Sequence, residues 1–359
     1  MLEPKRRGGI ALTLALCVGC AHTEEVDCGE DRASSQSLTN ASTSPDYLRL
    51  AEEERRAIVH LRAQDPISGS SSTCTGTFVR DDWILSAAHC APSDSTVLEA
   101  DQVDADGVAE RSWQVAELVR HADLDLLLLR VEAGDSSFIP IASSRVPSAG
   151  LLGQRAQQAG TGRSNDGPAG ALRFAVTTII RASKRLLRVS ADGYSGACDG
   201  DSGGPLLLRG ASGAPEVVGV LSIGNVTCFA EDSYVPTSRA ADWIDEVAGP
   251  AADSRPVCGG IDEQGGCFGT VAVHCQDGTL VGDPCPVVDS TECGWSPVER
   301  GFRCVAPQDD PCRGVDQLGT CSDGEALSCV EGRLRRNTCA ACGATCVVSP
   351  RTGATTCVL

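Results

Sequence analysis

The chain has 359 residues, a formal net charge of −18, 42% hydrophobic residues, 4% aromatics and 20 cysteines. So acidic a balance excludes nonspecific nucleic-acid binding by charge and disfavours electrostatic adhesion to anionic membranes. The cysteine count points to an oxidising compartment and a disulfide framework.

In chain order, Lys5-Arg6-Arg7 precedes an apolar run over 10–18 that is too short to cross a bilayer and suits an export signal. The run ends in Leu16-Cys17-Val18-Gly19-Cys20, which resembles a bacterial lipobox with Cys20 as the lipidated residue; ordinary signal cleavage is the alternative. Residues 1–20 are thus read as a signal peptide of lipoprotein type, and Cys20 as a membrane tether. Residues 21–56, rich in Ala, Ser, Thr and acidic side chains, read as a flexible tether with one short helix near its end.

Residues 57–249 are long enough to bury a full core, built mostly from Val, Leu, Ile and Ala because aromatics are scarce. The run 58–61 reads as the first core strand, and alternating apolar stretches over 76–85, 113–119 and 217–223 suit short antiparallel strands. A helix is predicted over 238–247, with Trp243, Ile244 and Val247 on one face and Gly249-Pro250 as its stop.

Two segments carry chemistry. Cys198-Asp199-Gly200-Asp201-Ser202-Gly203-Gly204-Pro205 sets a serine in a Gly-rich turn, where backbone N–H groups can converge on a developing oxyanion. A serine hydroxyl is a poor nucleophile unless a base removes its proton. Ser86-Ala87-Ala88-His89-Cys90 offers an imidazole for that work. The segment from His121 to Arg130 adds an aspartate at the mouth of an apolar run, Leu126 to Leu129. Asp125 is preferred there over Asp123, because choosing Asp123 would leave an unpaired Asp125 charge inside the run.

These motifs, in the order His, Asp, Ser, resemble the GDSGGP and (S/T)AAHC segments of the chymotrypsin/trypsin-like serine proteases, over roughly residues 57–249. The resemblance implies an all-β fold of two six-stranded antiparallel β-barrels with a C-terminal helix. It implies His89 as base, Asp125 as its orienting carboxylate and Ser202 as nucleophile, with the N–H groups of Gly200 and Ser202 as oxyanion hole. It implies disulfides Cys74–Cys90 and Cys198–Cys228. Animal members free an Ile-Val terminus that buries itself against the Asp before the nucleophile, here Asp201. Counting back from Ile58-Val59, that terminus would fall near Ser44, where no Ile-Val-Gly-Gly stands. An internal donor to Asp201, and activity on folding alone, are therefore expected. The family's pocket floor corresponds to Gly196 and one wall to Ser222-Ile223-Gly224, with Gly224 leaving the mouth open. Asp232, two residues before Tyr234, stands where some members carry a floor carboxylate favouring Arg or Lys; a solvated loop residue is the other reading.

From Cys258 onward, thirteen cysteines form an internal repeat. Cys258-x8-Cys267-x7-Cys275-x9-Cys285 is matched gap for gap by Cys312-x8-Cys321-x7-Cys329-x9-Cys339. Each unit closes on a further pair, Cys293 with Cys304 and Cys346 with Cys357. Units this short, 258–305 and 312–358, need staples to fold, and three disulfides each are expected; zinc at Cys339 and Cys342 is the rival. Cys28 and Cys342 are left over and would pair with each other. The ligand of the repeats is unknown.

Taken together, the expectation is an exported serine endopeptidase acting on proteins or peptides, lipid-anchored in a bacterial envelope or extracellular, without cofactor, metal or nucleic acid. The alternative is a catalytically silent surface recognition protein that uses the same fold as a scaffold. Esterase activity would accompany any such site.

Overall fold

The structure is a computed structural model that describes residues 41–358, apart from 44, 46, 133–136, 164–169, 226, 252–257 and 286–290. Two closed six-stranded antiparallel barrels fill the central part of the chain. The first has strands β1 (Ile58–Gln64), β2 (Ser71–Phe78), β3 (Trp83–Ser86), β4 (Val97–Val103), β5 (Ala109–Arg120) and β6 (Leu127–Val131), in the order β1-β2-β3-β6-β5-β4. The second has β7 (Arg155–Gly160), β8 (Arg173–Ala182), β9 (Leu187–Ser190), β10 (Pro205–Arg209), β11 (Pro215–Ile223) and β12 (Asp232–Pro236), in the order β10-β11-β12-β9-β8-β7. The alternating apolar stretch over 76–85 is divided between β2 and β3. Trp83 N–H donates to Arg80 O across a tight turn, so the chain reverses where Arg80, Asp81 and Asp82 interrupt the apolar pattern.

Register decides what meets at the end of each barrel. In β3 and β6, Ser86 pairs with Leu127 and Leu85 with Leu128. That places His89, just past β3, beside Asp125, just before β6. In the second barrel Pro205 pairs with Val220, so the turn before β10 lies level with the end of β11, where Ser222 stands. Leu126, Leu127, Leu128, Ile84 and Leu85 are fully buried and make these strand ends rigid. The closing helix runs Ala241–Ala248, later than the predicted start, because Thr237–Arg239 forms a 3-10 turn first; Gly249, at φ +78°, ends it.

Part of the segment expected to be a flexible tether is packed. Ser42 bridges Phe174, Tyr47 and Leu48 are buried, Tyr47 Oη donates to Arg155 O (3.0 Å), and Leu48 N–H donates to Gln157 Oε1 (3.2 Å). The short helix Glu52–Arg55 follows. Its partners are the second barrel on one side and the C-terminal repeats on the other, surfaces that the segment's own composition does not reveal. Residues 1–40, including the expected signal, Cys20 and Cys28, lie outside the described residues.

Both repeats contain a three-stranded sheet followed by a hairpin. Their disulfides follow one connectivity, first to third, second to fifth and fourth to sixth: Cys258–Cys275, Cys267–Cys293 and Cys285–Cys304, then Cys312–Cys329, Cys321–Cys346 and Cys339–Cys357. Cys339 is therefore not available as a thiolate zinc ligand. The first repeat shares a continuous apolar core with the barrels through Ile261, Phe268, Val271, Val273 and Leu280. The Arg209 guanidinium lies over the Phe268 ring at 5.5 Å.

Candidate active site

His89 sits in a 3-10 turn, Ala88–Cys90, that Cys74–Cys90 staples to β2. Its ring Nδ1 lies 2.8 Å from Asp125 Oδ2, and its backbone N–H donates to Asp125 Oδ1 at 3.0 Å. Ser222 Oγ, from the other barrel, donates to the same Oδ2 at 2.6 Å. Burial pushes the Asp125 carboxyl up, but hydrogen bonds from the His89 ring, Ser222 and the His89 backbone outweigh it and hold the group down to about 2. Asp125 is thus ionised and can only accept, so the proton between them belongs on His89 Nδ1, which leaves Nε2 as an acceptor. Asp123 is exposed and its N–H donates to His121 Nδ1, away from His89.

Ser202 lies in the turn before β10, half-buried. Thr75 N–H, in β2, donates to Ser202 O at 2.8 Å, and the Cys90 disulfide sulfur touches the same oxygen at 3.7 Å, so the serine backbone is fastened to the strand to which Cys74–Cys90 staples the histidine loop. Gly203, at φ +80°, lets the turn approach this closely: a side chain there would collide with Ser86 Oγ and the Thr75 carbonyl. Among the described residues Ser202 Oγ makes no hydrogen bond to His89. Such contacts commonly tighten only when substrate is bound.

The 199–200 peptide is oriented by Arg163 N–H donating to Asp199 O at 2.8 Å. A trans peptide points its N–H opposite to its carbonyl, so Gly200 N–H faces away from Arg163. Among the described residues neither Gly200 N–H nor Ser202 N–H has an acceptor. Asp201, 2% exposed, accepts from Gly162 N–H and Cys198 N–H, each at 2.8 Å, and burial pushes it up to about 7.

Gly196, Ser222, Gly224 and Asp232 gather beside this turn. A Cβ on Gly196 would lie 2.9 Å from the Cys228 carbonyl, and one on Gly224 3.3 Å from the Ala197 carbonyl. Cys198–Cys228 ties the two segments together. Asp232 is not a solvated loop residue: it is 1% exposed, accepts from Ala197 N–H (2.8 Å) and Asn225 N–H (3.2 Å), and is pushed by burial to about 6. Cys74 and Cys90 lie within 4.8 Å of a His89 ring nitrogen, but they are bonded to each other and so are not metal-binding thiolates. The sequence reading assigned Ser222 to a pocket wall and missed its bond to Asp125. It also missed Thr75, Thr161 and Arg163, whose contacts no local pattern announces.

Two closed antiparallel barrels, with a serine turn from the second fastened to a strand of the first and a His–Asp pair at the end of the first, define a chymotrypsin-like fold. A sequence profile of the trypsin family matches residues 51–244, more than half of the chain, and the chain belongs to that family. Serine protease SP24D of Anopheles gambiae is 28% identical over 208 residues, covering 50% of this chain and 73% of that protein. An uncharacterized peptidase of Corynebacterium glutamicum (strain R) is 24% identical over 281 residues, covering 74% of this chain and 87% of its own length. A chymase of Papio hamadryas is 25% identical over 213 residues, covering 50% and 81% respectively.

Proposed function

We propose that the chain is an exported serine endopeptidase that acts through an acyl-enzyme on Ser202. The observation that carries this reading is the His89–Asp125 pair at 2.8 Å, which fixes Nδ1 as the donor and leaves Nε2 to accept a proton. Ser202 Oγ would attack the peptide carbonyl while His89 Nε2 takes its proton. Breaking the C–N bond returns that proton to the leaving amine, and water then releases the acyl group by the same route. Gly200 and Ser202 N–H groups would hold the oxyanion, each worth about 3–4 kcal/mol at comparable sites.

Two backbone donors hold the Asp201 carboxyl in place of the hydrogen bonds, though not the charge, of a freed terminus in animal members, which supports activity without cleavage near residue 44. Asp232 would favour Arg or Lys before the scissile bond. Eight disulfides among the described residues fit an oxidising compartment. Lipidation of Cys20 would tether the enzyme to a membrane surface.

Labelling of purified protein by a fluorophosphonate tests the reading: wild type should react and Ser202→Ala should not. An inert wild type would favour the silent scaffold. N-terminal sequencing of labelled protein should find residues 41–50 still attached, and a digest of a peptide library should show cleavage after Arg and Lys. Indifference to basic residues would remove Asp232 from the pocket.

A further inference from the structure

A buried hydrogen-bond chain crosses between the barrels behind the proposed oxyanion hole. Thr75 Oγ1 donates to Gly200 O at 3.0 Å and accepts from Thr161 N–H at 3.0 Å. The two threonine hydroxyls are 3.0 Å apart, and Thr161 Oγ1 is 2.9 Å from His60 Nδ1. Thr75 and Thr161 are fully buried and His60 is 9% exposed.

Counting protons gives the chain a direction. Thr75 has one hydroxyl proton, and Gly200 O takes it, so the contact between the hydroxyls requires Thr161 to donate. Thr161 has then spent its proton, and His60 must donate from Nδ1. Cys74 O, 3.4 Å from Thr161 Oγ1, is the longer and weaker competitor for that proton. The order is therefore His60 Nδ1–H to Thr161 Oγ1–H to Thr75 Oγ1–H to the Gly200 carbonyl, and each donor polarises the next.

We propose that this chain is a positioning device for the oxyanion hole, with Thr75 as its key residue. Resting on the reading of Gly200 and Ser202 as that hole, it assigns Thr75 a two-point grip on the turn. The Thr75 backbone N–H holds Ser202 O at 2.8 Å, which any residue but proline could do; its side chain holds Gly200 O, which needs a hydroxyl. The 161–163 segment completes the hold from the second barrel, through Gly162 N–H to Asp201 and Arg163 N–H to Asp199 O. Without the Thr75 hydroxyl, a part-buried carbonyl between the two donors of the hole loses its side-chain partner, and the 200–201 peptide is held only by Asp201 N–H donating to Cys198 O at 3.0 Å. A hole that rotates binds substrate as before and stabilises the transition state less well.

The test is the saturation kinetics of fluorophosphonate labelling on the full chain, because the probe's phosphoryl oxygen occupies the oxyanion site. Thr75→Val should lower the maximal labelling rate by about tenfold or more, with half-saturating probe concentration within about twofold of wild type. Thr75→Ser should restore the rate to within about threefold, since it keeps the hydroxyl. A merely structural role would lower the melting temperature without that split or rescue. Thr161→Val, which keeps the backbone donor, should give a smaller loss of the same kind, and carries the test should Thr75→Val fail to fold. Thr75→Val labelling at the wild-type rate, or Thr75→Ser as slow as Thr75→Val, overturns the inference while leaving the proposed nucleophile intact. A wild type that does not label at all removes the proposed function instead.

Discussion

The barrels and the repeats solve the same problem by different means. In the barrels, Leu126 to Leu129 and their neighbours are fully buried, and among the described residues two disulfides serve the whole of 57–249. In the repeats, six disulfides hold about half that length, and a strand such as Arg333–Thr338 is exposed along nearly its entire course. The barrels draw stability from removing apolar surface from water, so side-chain identity matters at each core position. The repeats draw it from restricting the unfolded chain, so cysteine spacing matters most.

The sharpest test uses charge, because the two carboxyls that burial lifts furthest, Asp201 and Asp232, both lie in the second barrel. Burial lifts Asp201 to about 7 and Asp232 to about 6 from an ordinary 3.8. Between these values the folded chain retains protons that the unfolded chain has released. Barrel stability should therefore fall as pH rises through about 4 to 7 and level off beyond, by on the order of 4 kcal/mol for Asp201 alone. Asp125 works oppositely, contributing stability that is lost only as pH falls from 3.8 towards 2, below this window. Urea midpoints at about pH 4.5 and 7.5 read the slope, against which His60, His121 and His274, lowered by burial, gain stability as pH rises towards 6.5; a midpoint that rises with pH even with those histidines replaced by Gln contradicts protons held on both carboxyls.

Side-chain truncation breaks the comparison next. Leu128→Ala, in the middle of β6, should destabilise the barrels by about 2–5 kcal/mol. Leu334→Ala, on a half-buried position of the second repeat, should fall below about 1 kcal/mol. Removing a staple should do the reverse. Cys321→Ala with Cys346→Ala should loosen the second repeat by about 2–4 kcal/mol and leave fluorophosphonate labelling unchanged. Hydrogen exchange at 320–348 against β6 separates the two regions; equal loss of protection in both would show one cooperative unit.

How much was legible in the sequence follows the same division. His89 and Ser202 stand out because tight turns with small neighbours leave a short, recognisable spelling, and Asp125 because a charge at the edge of Leu126–Leu129 must go somewhere. The repeats were visible as spacing, yet six cysteines allow fifteen pairings, and only three-dimensional placement selects the one adopted twice here. What escaped was long-range and polar. Thr75 and Thr161 meet across 86 residues of sequence, Ser222 reaches Asp125 across 97, and nothing local distinguishes these hydroxyls from surface ones. Tyr47, Leu48 and Leu50 escaped for a related reason: three apolar residues in a polar segment carry no periodicity, and they become core only because the second barrel and the repeats close over them.

That closing-over suggests the smallest and most local test. Tyr47 touches both regions, donating through its hydroxyl to Arg155 O in β7 and packing against Phe268 of the first repeat at 5.8 Å between ring centres. Tyr47→Phe keeps the ring and removes only the hydrogen bond, leaving a part-buried carbonyl without its donor; the expected loss is about 1 kcal/mol. Because the ring contact survives, the loss should be confined to residues 47–50, the strap between the second barrel and the first repeat. Leu48 N–H, bonded to Gln157 Oε1, should exchange about fivefold faster, with the disulfide-held repeats and β6 unchanged. Faster exchange spreading into 266–284 would mean that the strap, and not the apolar core through Val271 and Leu280, fastens the repeats to the barrels.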